Sequence, residues 1–421
     1  MRIIMLTNTY APHVGGVACS VKSLAAACRG QGHDVSVVAP EFAEETEDEP
    51  HVLRVPAIQH FNGSDFSVRL PVPGLLSTWL KDTPPEVVHS HHPFLLGDAA
   101  LRLAASWDAP LVFTHHTMYE RYTHYVPGDS PALARFVVDL STGYANLCAM
   151  VFAPSESVAE MIRERGVTTP VEVVPTGIDT ERFAAGSGRG VREKKRIPND
   201  ALVIGHVGRL APEKNLPLLA TAAATYLRSD PRCHFLVVGA GPSQKEIADV
   251  FDRHQVTDRL HMAGVQQGQE LVDAYHAMDV FAFASTSETQ GIVLAEAMAC
   301  GVPVISLDAP GCREVVRDEH NGRLLDTPEP DAFVSALDWY ATRSDAQRRQ
   351  LSQAALKTAE DFSLPRCAGR ALELYQTLLD RGGSRDGRDE SAWDAARRRI
   401  EAEWNLWSLR AHAAGTALRD E

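Results

Sequence analysis

FAFASTSETQGIVLAEAMACGVPVIS, residues 281–306, decides the architecture. An apolar run from Val280 to Ala284 stops at a polar turn, Ser285 to Gln290, and a helical pattern through Ile292, Ala295, Glu296 and Ala299 continues to Gly301 before a second apolar run. The pattern predicts strand, turn, helix, strand. It sets Glu288 at the carboxyl end of a strand, and the backbone N–H groups around Gln290, Gly291 and Ile292 open the helix as an anion site, with Thr289 and Val293 flanking them. Glu296 follows Glu288 by eight residues, just over two helical turns, so both carboxylates can face one cleft. Two carboxylates flanking an anion hole suit a ligand with hydroxyls at each end and phosphate in the middle, the layout of a nucleotide-sugar.

Outward from this stretch, the composition is that of a soluble globular chain, and 421 residues exceed one ordinary core and predict two domains. The formal charge of -14 argues against wrapping nucleic acid. Seven cysteines without a Cys-x-x-Cys pair indicate neither a zinc site nor a disulfide framework, and a reducing cytoplasm fits them. No apolar run has the length of a membrane span and the chain starts directly on a strand, MRIIMLTN, so any membrane contact is expected to be peripheral.

Upstream, the first strand leads through Gly15 and Gly16 into a periodic helix and a second strand, a βαβ unit. The two glycines offer bare backbone to a phosphate or an acceptor, or make a plain flexible turn, and they lack dinucleotide Gly-x-Gly-x-x-Gly spacing. Residues 41–85 are irregular, with an acidic cluster EETEDE and LPVPGLLSTWL, a short amphipathic surface segment. EVVHSHHP and PLVFTHHT are strands ending in histidines, so His89, His91, His92, His115 and His116 converge at the carboxyl edge where open α/β sheets bind ligands. A metal site and a polar crevice of satisfied histidines are the two alternatives, and the absence of any Asp-x-Asp motif favours the second. Residues 184–200, AAGSGRGVREKKRIPND, carry the Gly and charge of a linker. Beyond them ALVIGHVGRLAPEKN sets Arg209 and Lys214 before a helix, a diphosphate cradle in which dipole and charges favour the same anion. FLVVGAGPSQKEI brings Gly239 and Gly241 to the same edge.

The central stretch resembles the Glu-x7-Glu signature of retaining glycosyltransferases of the GT-B architecture, in particular glycosyltransferase family 4. The resemblance covers residues 1–380 and includes the Gly-Arg-x4-Lys-Asn spacing and the Pro-x-Gly-Ile-Asp loop at Pro175 to Asp179. It implies two Rossmann-like α/β domains of doubly wound parallel sheets facing across a cleft: 1–190 for the acceptor, 191–362 for a nucleotide-sugar, and 363–383 as a helix crossing back; the amphipathic tail, 384–421, lies outside it. By the same resemblance Glu288 contacts the donor sugar, Glu296 holds the ribose, Gly264 and Val265 fall in the nucleobase loop, and His116 stands beside the reacting carbon. TMYERYTHY resembles diacylglycerol glucosyltransferases, which places Tyr119, Glu120, Tyr122 and His124 on the acceptor side. The implied reaction is metal-independent, cofactor-free hexosyl transfer from a UDP-sugar to a membrane lipid such as diacylglycerol. Alternatives are a soluble sugar or inositol acceptor, a UDP-sugar epimerase, and a non-catalytic nucleotide-sugar sensor.

The tail repeats apolar residues every three or four positions, at Trp393, Ala396, Ile400, Trp404, Trp407, Ala411, Ala414 and Leu418, with Arg397, Arg398 and Arg399 on the polar side. One such stripe either packs on the protein's own body or on a second subunit, or lies in the headgroup region of the inner membrane face.

Overall fold

The computed structural model describes residues 1–12, 15–41, 49–58, 68–69, 76, 79–80, 83–121, 130–382 and 392–419. They form two compact units, Met1–Gly177 with Leu364–Glu421, and Ile178–Ser363.

The first unit runs β1 (Arg2–Leu6), α1 (Gly16–Gly30), β2 (Asp34–Pro40), β3 (Val52–Val55), a two-residue antiparallel ladder of β4 (Ala57–Ile58) with β5 (Val68–Arg69), β6 (Val87–Ser90), α2 (Leu96–Trp107), β7 (Leu111–Thr114), α3 (Pro131–Asn146), β8 (Met150–Ala153), α4 (Glu156–Glu164) and β9 (Val171–Val173). Its seven-stranded sheet has the order β3-β2-β1-β6-β7-β8-β9, and each ladder is parallel. Helices cover both faces of a parallel sheet, which is why β6 to β8 have no exposed face and, His89 apart, are runs of apolar or small residues.

The second unit runs α5 (Thr180–Ala184), α6 (Arg189–Lys195), β10 (Leu202–Val207), α7 (Leu216–Ser229), β11 (Cys233–Val238), α8 (Gln244–Arg253), β12 (Leu260–Gly264), α9 (Gly268–His276), β13 (Val280–Phe283), α10 (Ile292–Ala299), β14 (Val304–Leu307), β15 (Gly322–Leu325), α11 (Pro330–Ala341) and α12 (Asp345–Glu360). Its sheet is β12-β11-β10-β13-β14-β15, again parallel. Strand order reverses between β10 and β13, and in the first unit between β1 and β6. Loops that leave the carboxyl ends of such strand pairs diverge and open a ligand crevice. The strand, turn and helix expected over 281–306 are therefore β13, the 284–291 loop and α10, at one of these switch points.

Two expectations about organisation change. Residues 184–200 are not a linker but part of the second unit. The Arg192 guanidinium donates to Asp279 at 2.8 Å and to the Ala277 and Ala201 carbonyls, Ser187 N–H donates to Asp273, and Gly188 packs so closely on Ala277 that a Cβ would lie 2.2 Å from the His276 carbonyl oxygen. The charges are used in pairing rather than in solvation, so the units divide at Gly177, ahead of the boundary expected at 190–191. The last two helices, α13 (Leu364–Gly382) and α14 (Ala392–Arg419), both belong to the first unit.

The tail also packs differently. Ala402, Leu406, Leu409 and Ala413 are the buried stripe of α14, set against α2 and α3, while Ile400, Trp404 and Trp407 are 68, 72 and 73 % exposed. Gly143 of α3 lets Leu409 in, since a Cβ there would lie 2.2 Å from its Cδ1, and ion pairs of Arg102 with Glu403 and of Asp98 with Arg410 flank the seam. The side chains of Trp393 and Leu418 lie outside the described residues.

Candidate active site

The loop after β10 and the loop after β13 meet at the switch point of the second unit. Lys214 Nζ donates to Glu288 Oε1 at 2.5 Å, with both side chains about 15 % exposed, and sits 5.8 Å from the Phe283 ring centroid. Arg209, half-exposed, donates to Glu213 at 2.5 Å. The Glu213 carbonyl in turn accepts from the Ser285 and Ser287 hydroxyls at 3.3 and 3.4 Å, which ties the cationic loop to the loop that carries Glu288. Desolvation pushes the Glu288 carboxyl upward, but the Lys214 charge and hydrogen bond and the Ser285 hydroxyl outweigh it and hold it below the usual carboxylate range. Glu288 is therefore ionised near neutrality.

Glu296 sits about one turn into α10, in the opposite environment. Burial raises its carboxyl to about 7, only partly offset by the Tyr275 hydroxyl, which donates to Oε2 at 2.7 Å. Two carboxylates of one helix and its leading loop thus have separated proton affinities, the usual sign of different tasks. At the start of α10, Gly291 takes a left-handed φ of 67° with no side chain capping the helix, next to buried Gln290 and partly buried Thr289, Ile292 and Val293. That leaves the helix N-terminus to be satisfied by something other than a cap.

Gly239 and Gly241 have a packing reason. A Cβ at Gly239 would lie 1.9 Å from the Gly208 carbonyl oxygen and one at Gly241 2.3 Å from that of Leu210, because the loops after β10 and β11 zip together through Gly208 N–H to Val238 O and Leu210 N–H to Ala240 O. Both residues have positive φ. Gly264 closes β12 and accepts from Gly239 N–H at 2.8 Å, and Val265 beyond it is 57 % exposed. Gly15 caps α1 with extended backbone, and a Cβ on Gly16 would meet nothing within 4 Å.

In the first unit the five histidines do converge, and they are bound chiefly to one another and to protein groups. His89 bonds the Tyr375 hydroxyl and Thr114 Oγ1, each at 2.7 Å; His92 Nδ1 accepts from Asn8 N–H; His91 Nδ1 and His116 Nε2 are 2.9 Å apart. Burial drives all five imidazoles below their usual value, to about 3 at His89 and His92 and about 4 at His115, so they are neutral. His91 and His116 line a cavity of about 20 Å³ with Ser20, Thr114 and Thr176. Among the described residues no group of three His, Cys, Asp or Glu stands ready to hold a metal ion. Of the residues expected on the acceptor side, Tyr119 is packed on Phe94 and His115 with its hydroxyl buried, and Glu120 takes both guanidinium nitrogens of Arg165, at 2.7 and 3.3 Å. Tyr122 and His124 lie outside the described residues, as does most of the segment 41–85 that carries the acidic cluster.

The family profile described as Glycosyltransferase Family 4 matches residues 14–182, and that of Glycosyl transferases group 1 matches residues 189–358. A D-inositol 3-phosphate glycosyltransferase of Saccharomonospora viridis is 30 % identical over 305 residues, 70 % of each chain. The chain belongs to glycosyltransferase family 4. It is also similar to an alpha-monoglucosyldiacylglycerol synthase of Streptococcus pneumoniae, 27 % identical over 86 % of this chain and 83 % of that one, and to a GDP-mannose-dependent alpha-mannosyltransferase of Corynebacterium glutamicum, 27 % identical over 90 % and 89 %. Anabaena HepE, solved in complex with UDP, superposes with a TM-score of 0.70 over 90 % of this chain and all of its own at 20 % identity, which establishes the GT-B fold.

Three residues of this family 4 glycosyltransferase escaped the sequence. Glu213 was visible only as an i,i+4 partner of Arg209, Tyr275 only as an aromatic in a helix that precedes β13, and His91 as one of five histidines with nothing to single it out.

Proposed function

We propose that this glycosyltransferase moves a hexosyl group, glucose foremost, from UDP to a hydroxyl of a membrane lipid of the diacylglycerol class, retaining the anomeric configuration and needing no metal. The observation that carries the donor half is the Lys214–Glu288 pair at the β10/β13 switch point, one helix start away from the Glu296–Tyr275 pair. In this scheme the diphosphate takes over Lys214 and Arg209 from their carboxylates and faces the uncapped start of α10. Glu296 accepts from the ribose hydroxyls, and Glu288 from the sugar. As the bond from anomeric carbon to phosphate oxygen breaks, negative charge grows on the departing diphosphate, where the two cations stabilise it. The acceptor proton passes to that phosphate, and the neutral His116 imidazole orients the sugar.

The lipid acceptor rests on the similarity to the glucosyldiacylglycerol synthase and on TMYERYTHY. The outward stripe of α14 adds a surface contact, because exposed Trp404 and Trp407 suit the headgroup region. No helix among the described residues is long and apolar enough to cross a membrane. The inositol-phosphate and GDP-mannose relatives favour a second scheme with a soluble acceptor or a different nucleotide. Radiolabelled UDP-glucose, UDP-galactose and GDP-mannose, each offered with diacylglycerol vesicles or with inositol 3-phosphate, separate the two. Label from UDP-glucose in the organic phase, undiminished by EDTA, is expected. Label confined to a water-soluble product overturns the lipid acceptor, transfer from GDP-mannose alone overturns the donor, and isomerised UDP-sugar without acceptor makes the protein an epimerase.

A further inference from the structure

We infer that His91 is a positioning residue that fixes the tautomer and ring plane of His116. This deepens the proposed reaction and rests on it for the role of His116 alone. His91 follows β6, where its backbone N–H donates to the Leu6 carbonyl of β1 at 2.9 Å, so its Cα is pinned at the switch point of the first unit. Its ring is fully buried, lies 4.1 Å centroid to centroid from His89, and is held from the other side by the near-parallel His116 ring, 5.2 Å away. His89 is itself clamped between Tyr375 and Thr114. The stack leaves His91 one place to sit.

One nitrogen of each ring faces the other, His91 Nδ1 and His116 Nε2 at 2.9 Å, and only one proton can lie between them. The opposite nitrogen of His91, Nε2, is buried with no partner among the described residues. If that nitrogen carried the proton, no described residue would accept it, and a buried N–H without a protein partner is tolerated less well than a bare lone pair. The proton of His91 therefore sits on Nδ1 and is donated to His116 Nε2. A neutral His116 whose Nε2 accepts must carry its own proton on Nδ1, since the hydrogen bond at one ring nitrogen sets the state of the other. His116 thus carries its own donor proton on Nδ1, with a tautomer set from His91.

The test is nitrogen NMR of the full-length protein with 15N-histidine, the His116 ring assigned by its loss in His116→Gln. In the wild type without substrate, His116 should be protonated at Nδ1 and bare at Nε2. His91→Leu should release it to the other tautomer or to a mixture, whereas His91→Asn, whose amide N–H stands where Nδ1–H stood, should keep it. With the acceptor and donor that the labelling experiment identifies, His91→Leu should lower kcat by about tenfold or more with the KM for nucleotide-sugar unchanged, and His91→Asn should recover most of it. A wild-type His116 protonated at Nε2 overturns the inference, even if His91→Leu does not fold, and so does a tautomer indifferent to His91→Leu. Because the spectrum needs no substrate, it stands or falls apart from the choice of donor and acceptor.

Discussion

Lys214 and Glu288 neutralise each other in a largely buried contact, so each single substitution strands a charge. Lys214→Met leaves an ionised Glu288 without its cation and should both melt several degrees lower and turn over at least about a hundredfold more slowly, the typical loss when one transition-state donor is removed. Adding Glu288→Gln should restore most of the thermal stability and none of the activity. Thermal melts and initial rates of the three variants check this; a double variant no more stable than Lys214→Met refutes the pairing. At Glu296 stability and binding pull in opposite directions. Its folded value of about 7 stands above an unfolded 4.5, so the fold holds this proton more tightly than the open chain does. The corresponding stabilisation is complete below 4.5 and lost as pH climbs through 7. Glu296→Gln, which never ionises, should be roughly 2–4 kcal/mol more stable than wild type at pH 8, the gap narrowing toward pH 5. Binding of UDP-glucose should run the other way. In the wild type it should tighten from pH 6 to pH 8 as the carboxylate forms, and Glu296→Gln should bind more weakly with no such slope. Calorimetry showing the same slope in both proteins would remove Glu296 from the donor site.

Helix α14 shows why an apolar period is not yet a packing face. Two tryptophans and an isoleucine weigh most in the pattern, yet the protein buries the thinner stripe of Ala402, Leu406, Leu409 and Ala413, because small residues and Gly143 of α3 allow close approach and ion pairs line both edges. The two faces should separate experimentally. Leu406→Ala should cost about 2–5 kcal/mol in a melt and leave association with anionic vesicles intact. Trp404→Ser with Trp407→Ser should leave the melt unchanged and abolish co-sedimentation. Equal sedimentation of wild type and the Trp variant excludes this face as the lipid contact. Local elements were legible where punctuation was local: β13, the turn and α10 announce themselves through an apolar run, a polar stop and Gly301. Residues 184–200 were not, because the groups that order them, Asp273 and Asp279, lie about ninety residues downstream. Arg209, Lys214, Glu288 and Glu296 were legible as types at spacings. Their pairing was legible only in part, since Lys214 meets Glu288 across 74 residues and Tyr375 meets His89 across 286.

At the scale of the molecule, the chain enters and leaves the second unit at one place. Ile178 N–H donates to the Phe362 carbonyl at 2.8 Å and Ile178 bridges to Ser363, so residues 178–363 are continuous in sequence and closed at their ends. Two of the apolar cores lie wholly inside this unit, one on each face of its sheet, and draw nothing from the rest of the chain. Such a segment should fold alone. Arg209, Glu213, Lys214, Tyr275, Glu288 and Glu296 all travel with it, so residues 178–363 should melt cooperatively and bind UDP within about tenfold of the full chain. The first unit is split in sequence, but Gly177 abuts Leu364, with a Cβ position 2.7 Å from the Leu364 Cα, so a short Gly-Ser joint can replace the excised segment. That shortened protein retains His91, His116 and the outward face of α14. It should bind anionic vesicles and take up no UDP. A cooperatively folded 178–363 fragment that gives no heat with UDP would show that the nucleotide needs more than the residues of this unit. Vesicles that sediment the fragment and not its counterpart would move the lipid contact from α14 to the other unit.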